Sequence, residues 1–400
     1  MKIPTTAFTP EEAITTDTSP LLPSRGPGTS VSLSRNLLGR LLAQADVRLD
    51  GKRPWDLQVK NEQVYRRLLC HGSLGLGESY MDGWWDCERL DELIYKLIKA
   101  DINHKTWSPK EVIDCLRARF INPQSCSRAW RVGRRHYDIG DDIYRSMLDS
   151  KMIYSCGYWR DAVDLDSAQE AKLDLIARKL RLKPGMKVLD IGCGWGGTAR
   201  YLAQNYGAEV TGVTISKNQV TMARESCRGL PVEIRLADYR TLSGRFDRIL
   251  SVGMFEHVGY KNYRSYMRLV RDLLTEEGLF LLHTIGNDRK EIRTDPWIER
   301  YIFPNSMLPS AGQLAISFEG LFLLEDWHSF GADYDRTLMA WYRNFETGWP
   351  QLADRYHERF SRMWKYYLLS CAGSFRARKN QLWQLVLSPP GMESGYESVR

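Results

Sequence analysis

The feature that most constrains this chain is the stretch from Lys187 to Gly286, where short apolar runs alternate with amphipathic segments. KVLDIG, EVTGVTI, VEIRLAD, FDRILSVG and GLFLLHTIG each read as a buried strand, and helical periodicity fills the intervals. Such alternation implies right-handed crossovers and a parallel sheet covered by helices on both faces, an α/β class. FLLEDWHSF and QLWQLVLS add two later strands, the last expected to be antiparallel at the edge. Between them, the periodicity predicts one helix from about Thr337 through Ala377.

A chain of 400 residues exceeds what one compact α/β unit needs. Residues 1–33 are rich in Pro, Ser, Thr and Gly without period and read as a disordered extension. Residues 34–125 read as a smaller, mainly helical N-terminal domain. Its segments LLGRLLAQ and LDELIYKLIKA are separated by WDLQVK and GSLGLGESYMDGWWD, which supply one short strand or hairpin. Residues 126–390 form the α/β domain, and 391–400 a tail. No apolar run approaches the roughly 20 residues that span a bilayer, and the N-terminus has no secretory h-region, so the expected location is the cytoplasm. The eight cysteines show no CxxC pair and no zinc spacing. Disulfides and a metal are therefore not expected. The formal charge of +7 favours an anionic partner. A basic stretch at 117–120 and 127–136, with Trp130 among its arginines, suits a lipid headgroup surface, a phosphate backbone or simply solvent.

The sharpest local signal is the run from Val188 to Gly197, VLDIGCGWGG, a strand passing into a glycine turn and then a helix. Such a turn lets a ligand approach the backbone. A dinucleotide site would place an acid at the end of the second strand, but that strand ends GVTIS, so NAD is disfavoured. With Asp190 ahead of Gly192, Gly194 and Gly196, the order resembles the first motif of class I S-adenosylmethionine methyltransferases. Asp238, ending the third strand in LADYR, falls where that family binds the adenine amine.

Over most of its length the chain resembles the cyclopropane-fatty-acyl-phospholipid synthases, relatives of the mycolic acid cyclopropane synthases. The blocks carrying the resemblance are GSLGLGESYMDGWWD, HYDIGDDIY, YSCGYW, VLDIGCGWGG, GVTISKNQ, VGMFEHVG, FLLHTIG, DPWIERYIFPN, GADYDRTLMAWY and CAGSFRAR, in this order. The resemblance implies a Rossmann-like seven-stranded sheet, mostly parallel with an antiparallel edge strand. It also implies S-adenosylmethionine, a bound bicarbonate ion and a cyclopropane made on an unsaturated phospholipid acyl chain. It places Glu256, His283, Tyr334 and Cys156, with the backbone amide of Ile285, around bicarbonate. Tyr154, Ser155, Gly192, Gly194, Thr214, Gln219, Asp238 and Tyr239 fall at the cofactor, with Gln219 replacing the missing ribose acid. Cys371 has been assigned as a nucleophile in the family, but nothing in this chemistry needs a thiolate, and an apolar setting would raise its pKa.

An isolated alkene is a poor nucleophile, and methylating it leaves a carbocation that must lose a proton before a ring can close. The pocket should therefore be apolar and aromatic, exclude water and hold one base. Thirteen Trp, 20 Tyr and 12 Phe allow this, though aromatics are more often plain core. His283 as a core histidine, Glu256 as a helix cap and Cys156 as a small hydrophobe remain the plain alternatives. Rival functions are a related methyltransferase leaving a methyl branch or methylene group, and a non-catalytic lipid-binding relative. Nucleic-acid methylation lacks a Pro-Pro-Tyr-type motif beside the fourth strand. The expected partner is an anionic phospholipid bilayer, met peripherally at its inner face through GSLGLGESYMDGWWD and the basic stretch near Arg131. A homodimer is possible by resemblance.

Overall fold

The computed structural model describes residues 27–102, 140–291, 293–393 and 395–400. The basic stretch at 117–120 and 127–136 lies outside them. The N-terminal part comprises α1 (Pro27–Ala43), β1 (Gln58–Val59), α2 (Gln63–Met81), β2 (Trp85–Asp86) and α3 (Leu90–Lys99), with β1 and β2 paired antiparallel. Next come α4 (Asp141–Met147), α5 (Leu165–Lys179), β3 (Lys187–Ile191), α6 (Gly197–Tyr206), β4 (Glu209–Thr214), α7 (Lys217–Ser226), β5 (Val232–Leu236) and β6 (Phe246–Val252). The chain continues through α8 (Tyr263–Leu273), β7 (Leu274–Asn287), α9 (Pro296–Tyr301), α10 (Ala311–Phe318), β8 (Leu323–Ser329), α11 (Ala332–Gly348), α12 (Glu358–Arg376) and β9 (Asn380–Ser388).

The main sheet runs β5-β4-β3-β6-β7-β9-β8. Its first five strands are parallel to their neighbours, and β9 is antiparallel to both β7 and β8. The antiparallel strand therefore sits one place in from the edge, and β8 is the edge strand. Helices cover both faces, so Leu189 and Ile249 pack on one side while Val188 and Leu250 pack on the other. Strand order reverses between β3 and β6. Ligands bind at such a reversal, outside the carboxyl ends of the strands.

Two sequence expectations are corrected. The helix expected from Thr337 through Ala377 is two helices, separated by a 3₁₀ turn over Trp349–Gln351. Pro350 lacks the N–H a continuing helix requires and constrains the residue before it, while Gly348 is a weak helix former. The glycine-rich run from Gly72, expected to separate two helical segments, is through Met81 the second half of α2, kinked at Gly72. Its later glycines serve contact rather than turning. Gly77 is buried against the Trp297 indole, where an added Cβ would lie 2.3 Å from Cδ1. Tyr80, Met81 and Trp85 are likewise buried, so the bilayer-docking role expected of this segment has none of these side chains to act through.

The N-terminal helices share a core with α11 and α12, in which Tyr65, Trp85, Leu93, Trp341, Trp364 and Leu368 pack together. Arg376 ties three elements by donating to Asp91 in α3 at 2.7 Å and to Asp335 in α11 at 2.9 and 3.0 Å. No helix among the described residues is long and apolar enough to cross a membrane.

Gly77→Ala tests the junction. Alanine gains up to about 1 kcal/mol of helix propensity, but the clash with a fully buried indole costs about 1–3 kcal/mol. Net destabilisation is expected in urea unfolding.

Candidate active site

The glycine turn lies at the carboxyl end of β3. The amides of Gly192 and Cys193 both donate to the Val213 carbonyl, at 2.9 and 3.0 Å, which pins the turn to β4. Gly196 takes φ +82° to start α6, a conformation that a side chain resists. An added Cβ at Gly192 would meet Met254 at 2.8 Å, whereas at Gly194 it would meet nothing within 4 Å. The turn is thus close-packed behind and open at Gly194. Asp190 is buried and its Oδ2 has no hydrogen-bond partner. Burial pushes its carboxyl up to about 7, against the pull of Lys172.

Two further cofactor candidates flank the turn. Thr214 donates to Gln219 Oε1 at 2.7 Å, which orients that amide at the start of α7. Asp238 accepts from the amide of Arg240 at 3.0 Å and from its guanidinium at 2.9 and 2.8 Å. Tyr239 packs edge-on against Tyr266.

The YSCGYW loop is stapled to α11 through Thr337, whose hydroxyl accepts from the Gly157 amide at 3.1 Å and from Trp159 Nε1 at 2.8 Å. Asp333 accepts from the Trp159 amide at 2.8 Å. Tyr154 and Tyr367 share a hydrogen bond of 2.7 Å, and Lys172 Nζ donates to Ser155 Oγ at 2.9 Å. Sequence reasoning missed Thr337 and Lys172, yet both left a signal. Thr337 lies three residues after Tyr334, on the same helix face, and Lys172 stands midway between Ala168 and Ile176, all three buried.

A largely apolar cavity is lined by Tyr154, Glu256, Ile285, Tyr334 and Cys371, with Leu76 and Leu97 from the N-terminal helices. Glu256 Oε1 accepts from the Ile285 amide at 2.7 Å, and Oε2 has no partner. That amide, expected to hold bicarbonate, is therefore engaged with Glu256. Burial pushes Glu256 up to about 7. His283 and Cys156 do not line the cavity. His283 shares a 3.2 Å hydrogen bond between Nδ1 and Gln384 Nε2, its own Nε2 has no partner, and burial holds its pKa well below the usual range. Cys156 is fully buried, within 3.7 Å of the Thr337 hydroxyl. Burial raises the Cys371 thiol to about 12, so it is protonated at neutral pH and unsuited to nucleophilic attack. The unpartnered Glu256 Oε2, in the cavity lining, fits the hydroxyl of a small oxyanion in chemical type, whereas His283 Nε2, also unpartnered, belongs to a residue outside that lining.

The mycolic acid cyclopropane synthetase family model matches residues 124–385. The cyclopropane-fatty-acyl-phospholipid synthase of Escherichia coli K12 is 55% identical over 91% of this chain and 95% of that relative. Two solved structures are similar, each with 64% of this chain covering 97% of theirs. They are the cyclopropane synthase MmaA2 from Mycobacterium tuberculosis (TM-score 0.61, 31% identity) and the mycolic acid cyclopropane synthase CmaA1 complexed with SAH and CTAB (TM-score 0.60, 33% identity).

The protonation of Glu256 is testable. The folded protein keeps this proton until about pH 7, while the unfolded chain releases it near 4.5. Between those values the folded state binds more protons, so this residue's contribution to stability falls as pH rises. Relative to Glu256→Gln, the wild type should lose about 3 kcal/mol between pH 4.5 and 7 in urea unfolding. A pH-independent difference would refute the protonated carboxyl.

Proposed function

From the premise that the chain belongs to the cyclopropane synthase family and is an S-adenosylmethionine-dependent methyltransferase, we propose that its acceptor is the cis double bond of an unsaturated acyl chain in a membrane phospholipid, which it converts to a cyclopropane. The observation that carries this reading is a buried carboxyl, Glu256, with one oxygen unpartnered in the lining of a cavity whose apolar part comes from Leu76, Leu97, Ile285, Leu338 and the rings of Tyr154, Tyr334 and Tyr367.

The chemistry asks for that combination. The sulfonium methyl of S-adenosylmethionine supplies the electrophile an isolated alkene needs. As the new C–C bond forms, the C–S bond breaks and positive charge appears on the neighbouring acyl carbon. A proton must leave the added methyl group, and its C–H electron pair closes the ring. The rings of Tyr154, Tyr334 and Tyr367 belong to the cavity lining, where aromatic π-density stabilises a cation, and the apolar side chains beside them keep out water that would trap it as an alcohol. Bicarbonate, implied by the family resemblance, would supply the oxyanion that takes the proton. Glu256 Oε2 would accept its hydroxyl, while Tyr334, in the same lining, donates to its oxygens. The Ile285 amide braces Glu256 for that task.

The excess of positive charge favours an anionic bilayer as the source of substrate. From the same cation, loss of the proton on the methyl-bearing carbon would give a methyl-branched alkene, and a 1,2-hydride shift followed by loss of a proton from the added methyl group would give a methylene product.

Incubating the purified protein with S-adenosylmethionine and vesicles of monounsaturated phospholipid should add one CH₂ to the released fatty acids, with upfield cyclopropane protons in NMR. A branched or methylene product would change the fate assigned to the cation. Absence of any product despite cofactor binding would overturn the acceptor. Among variants, Glu256→Gln should lose most turnover while binding S-adenosylhomocysteine normally, and Gly194→Val should lose that binding by blocking the open face of the turn.

A further inference from the structure

Lys172 lies in α5 beneath the cofactor loop, and its side chain is fully buried. Burying an ammonium costs several kcal/mol unless it is paired, yet no carboxylate among the described residues lies within 4 Å of it. Asp149, which attracts it, spends its two oxygens on the amides of Ile153 and Lys151, at 2.8 and 2.9 Å. The hydrogen bond that Lys172 does make goes to Ser155 Oγ at 2.9 Å. Methionine or leucine would fill this position at less cost if packing were all it did.

The direction of that bond matters. An ammonium has only donors, so the Ser155 oxygen is the acceptor and its own hydrogen must point elsewhere. The loop is held meanwhile by Gln169 Nε2, which donates to the Ser155 carbonyl at 2.8 Å. Ser155 lies close to Gly253, just past the carboxyl end of β6 and beside the switch point; a Cβ built on that glycine would be 3.9 Å from the Ser155 Cβ. Asp190 belongs to the same neighbourhood, its charge coupled to that of Lys172, and its Oδ2 has no partner. One loop thus offers a hydroxyl committed to donating, next to a positive charge, while β3 offers a carboxyl oxygen without a partner. That pair is complementary to a zwitterionic amino acid.

We propose that Lys172 is a positioning residue that commits the Ser155 hydroxyl to donate to the carboxylate of the methionine moiety of S-adenosylmethionine, while Asp190 accepts from its ammonium. This rests on the methyltransferase reading of the glycine turn. It adds a residue that does not touch the ligand and a reason for burying a lysine there.

The test compares two ligands that differ in the amino acid. S-adenosylhomocysteine carries the carboxylate, and 5′-methylthioadenosine keeps the nucleoside and thioether without it. In calorimetry, Lys172→Met should weaken S-adenosylhomocysteine about tenfold or more, as expected for a lost hydrogen bond to a charged group, and leave methylthioadenosine unchanged. Ser155→Ala, which leaves the buried ammonium in place, should show the same selectivity. The double variant should lose no more than either single one. Equal weakening of both ligands by Lys172→Met would reduce the lysine to a structural role and overturn the proposal, as would unchanged S-adenosylhomocysteine affinity or additive losses. Should Lys172→Met not fold, Ser155→Ala decides alone: without selective loss of S-adenosylhomocysteine the hydroxyl is no carboxylate donor. Wild-type protein binding neither ligand would instead refute the cofactor reading itself.

Discussion

Desolvation at the carboxyl edge of the sheet governs this molecule. Asp190 Oδ2, Glu256 Oε2 and His283 Nε2 are all buried there without partners, and each unsatisfied polar atom costs about 1–3 kcal/mol. A core selected only for stability would remove them. Their burial raises the two carboxyls to about 7 and keeps the imidazole uncharged, which prepares the edge for ligands that bring complementary polar groups. The stability lost here is offset by the strands beneath, where Val188, Leu189, Ile249, Leu250 and Leu281 are essentially inaccessible.

Holding such groups in place requires braces from outside the sheet. The loop at 154–159 has little regular structure of its own, but Thr337 holds two of its polar groups and Asp333, Lys172 and Gln169 hold one or more each. The N-terminal helices extend the same logic. Leu76, Ile94 and Leu97 line the cavity from α2 and α3, and Arg376 locks α3 to α11 through Asp91 and Asp335. The cavity wall is therefore shared between the α/β unit and the helices preceding it, so changes at Gly77 or Trp297 reach the site through packing.

Much of this was legible in the chain. Period-two and period-3.6 patterns gave the strands and helices of the sheet because burial on both faces leaves continuous apolar runs. The motif around Asp190 announced its own turn because only glycine fits there. Glu256, Ile285, Tyr334 and Cys371 were singled out from sequence, and all line one cavity. The glycine-rich run after Gly72 misled, because glycine marks either a turn or a close contact, and only the position of Trp297 shows which. The break at Trp349–Gln351 was missed because apolar residues recur at helical spacing on both sides of Pro350.

By itself, the sequence determined the α/β class, the glycine turn at the end of β3 and the identity of the side chains with useful chemistry, since these depend on local sterics and on spacing along the chain. Tertiary structure alone decided that β9 inserts between β7 and β8, that the Ile285 amide is taken by Glu256, that His283 stands behind the cavity wall on Gln384, and that Lys172 meets Ser155. Those outcomes depend on which distant groups share a desolvated space, and a buried donor or acceptor binds whatever lies nearest once water is gone.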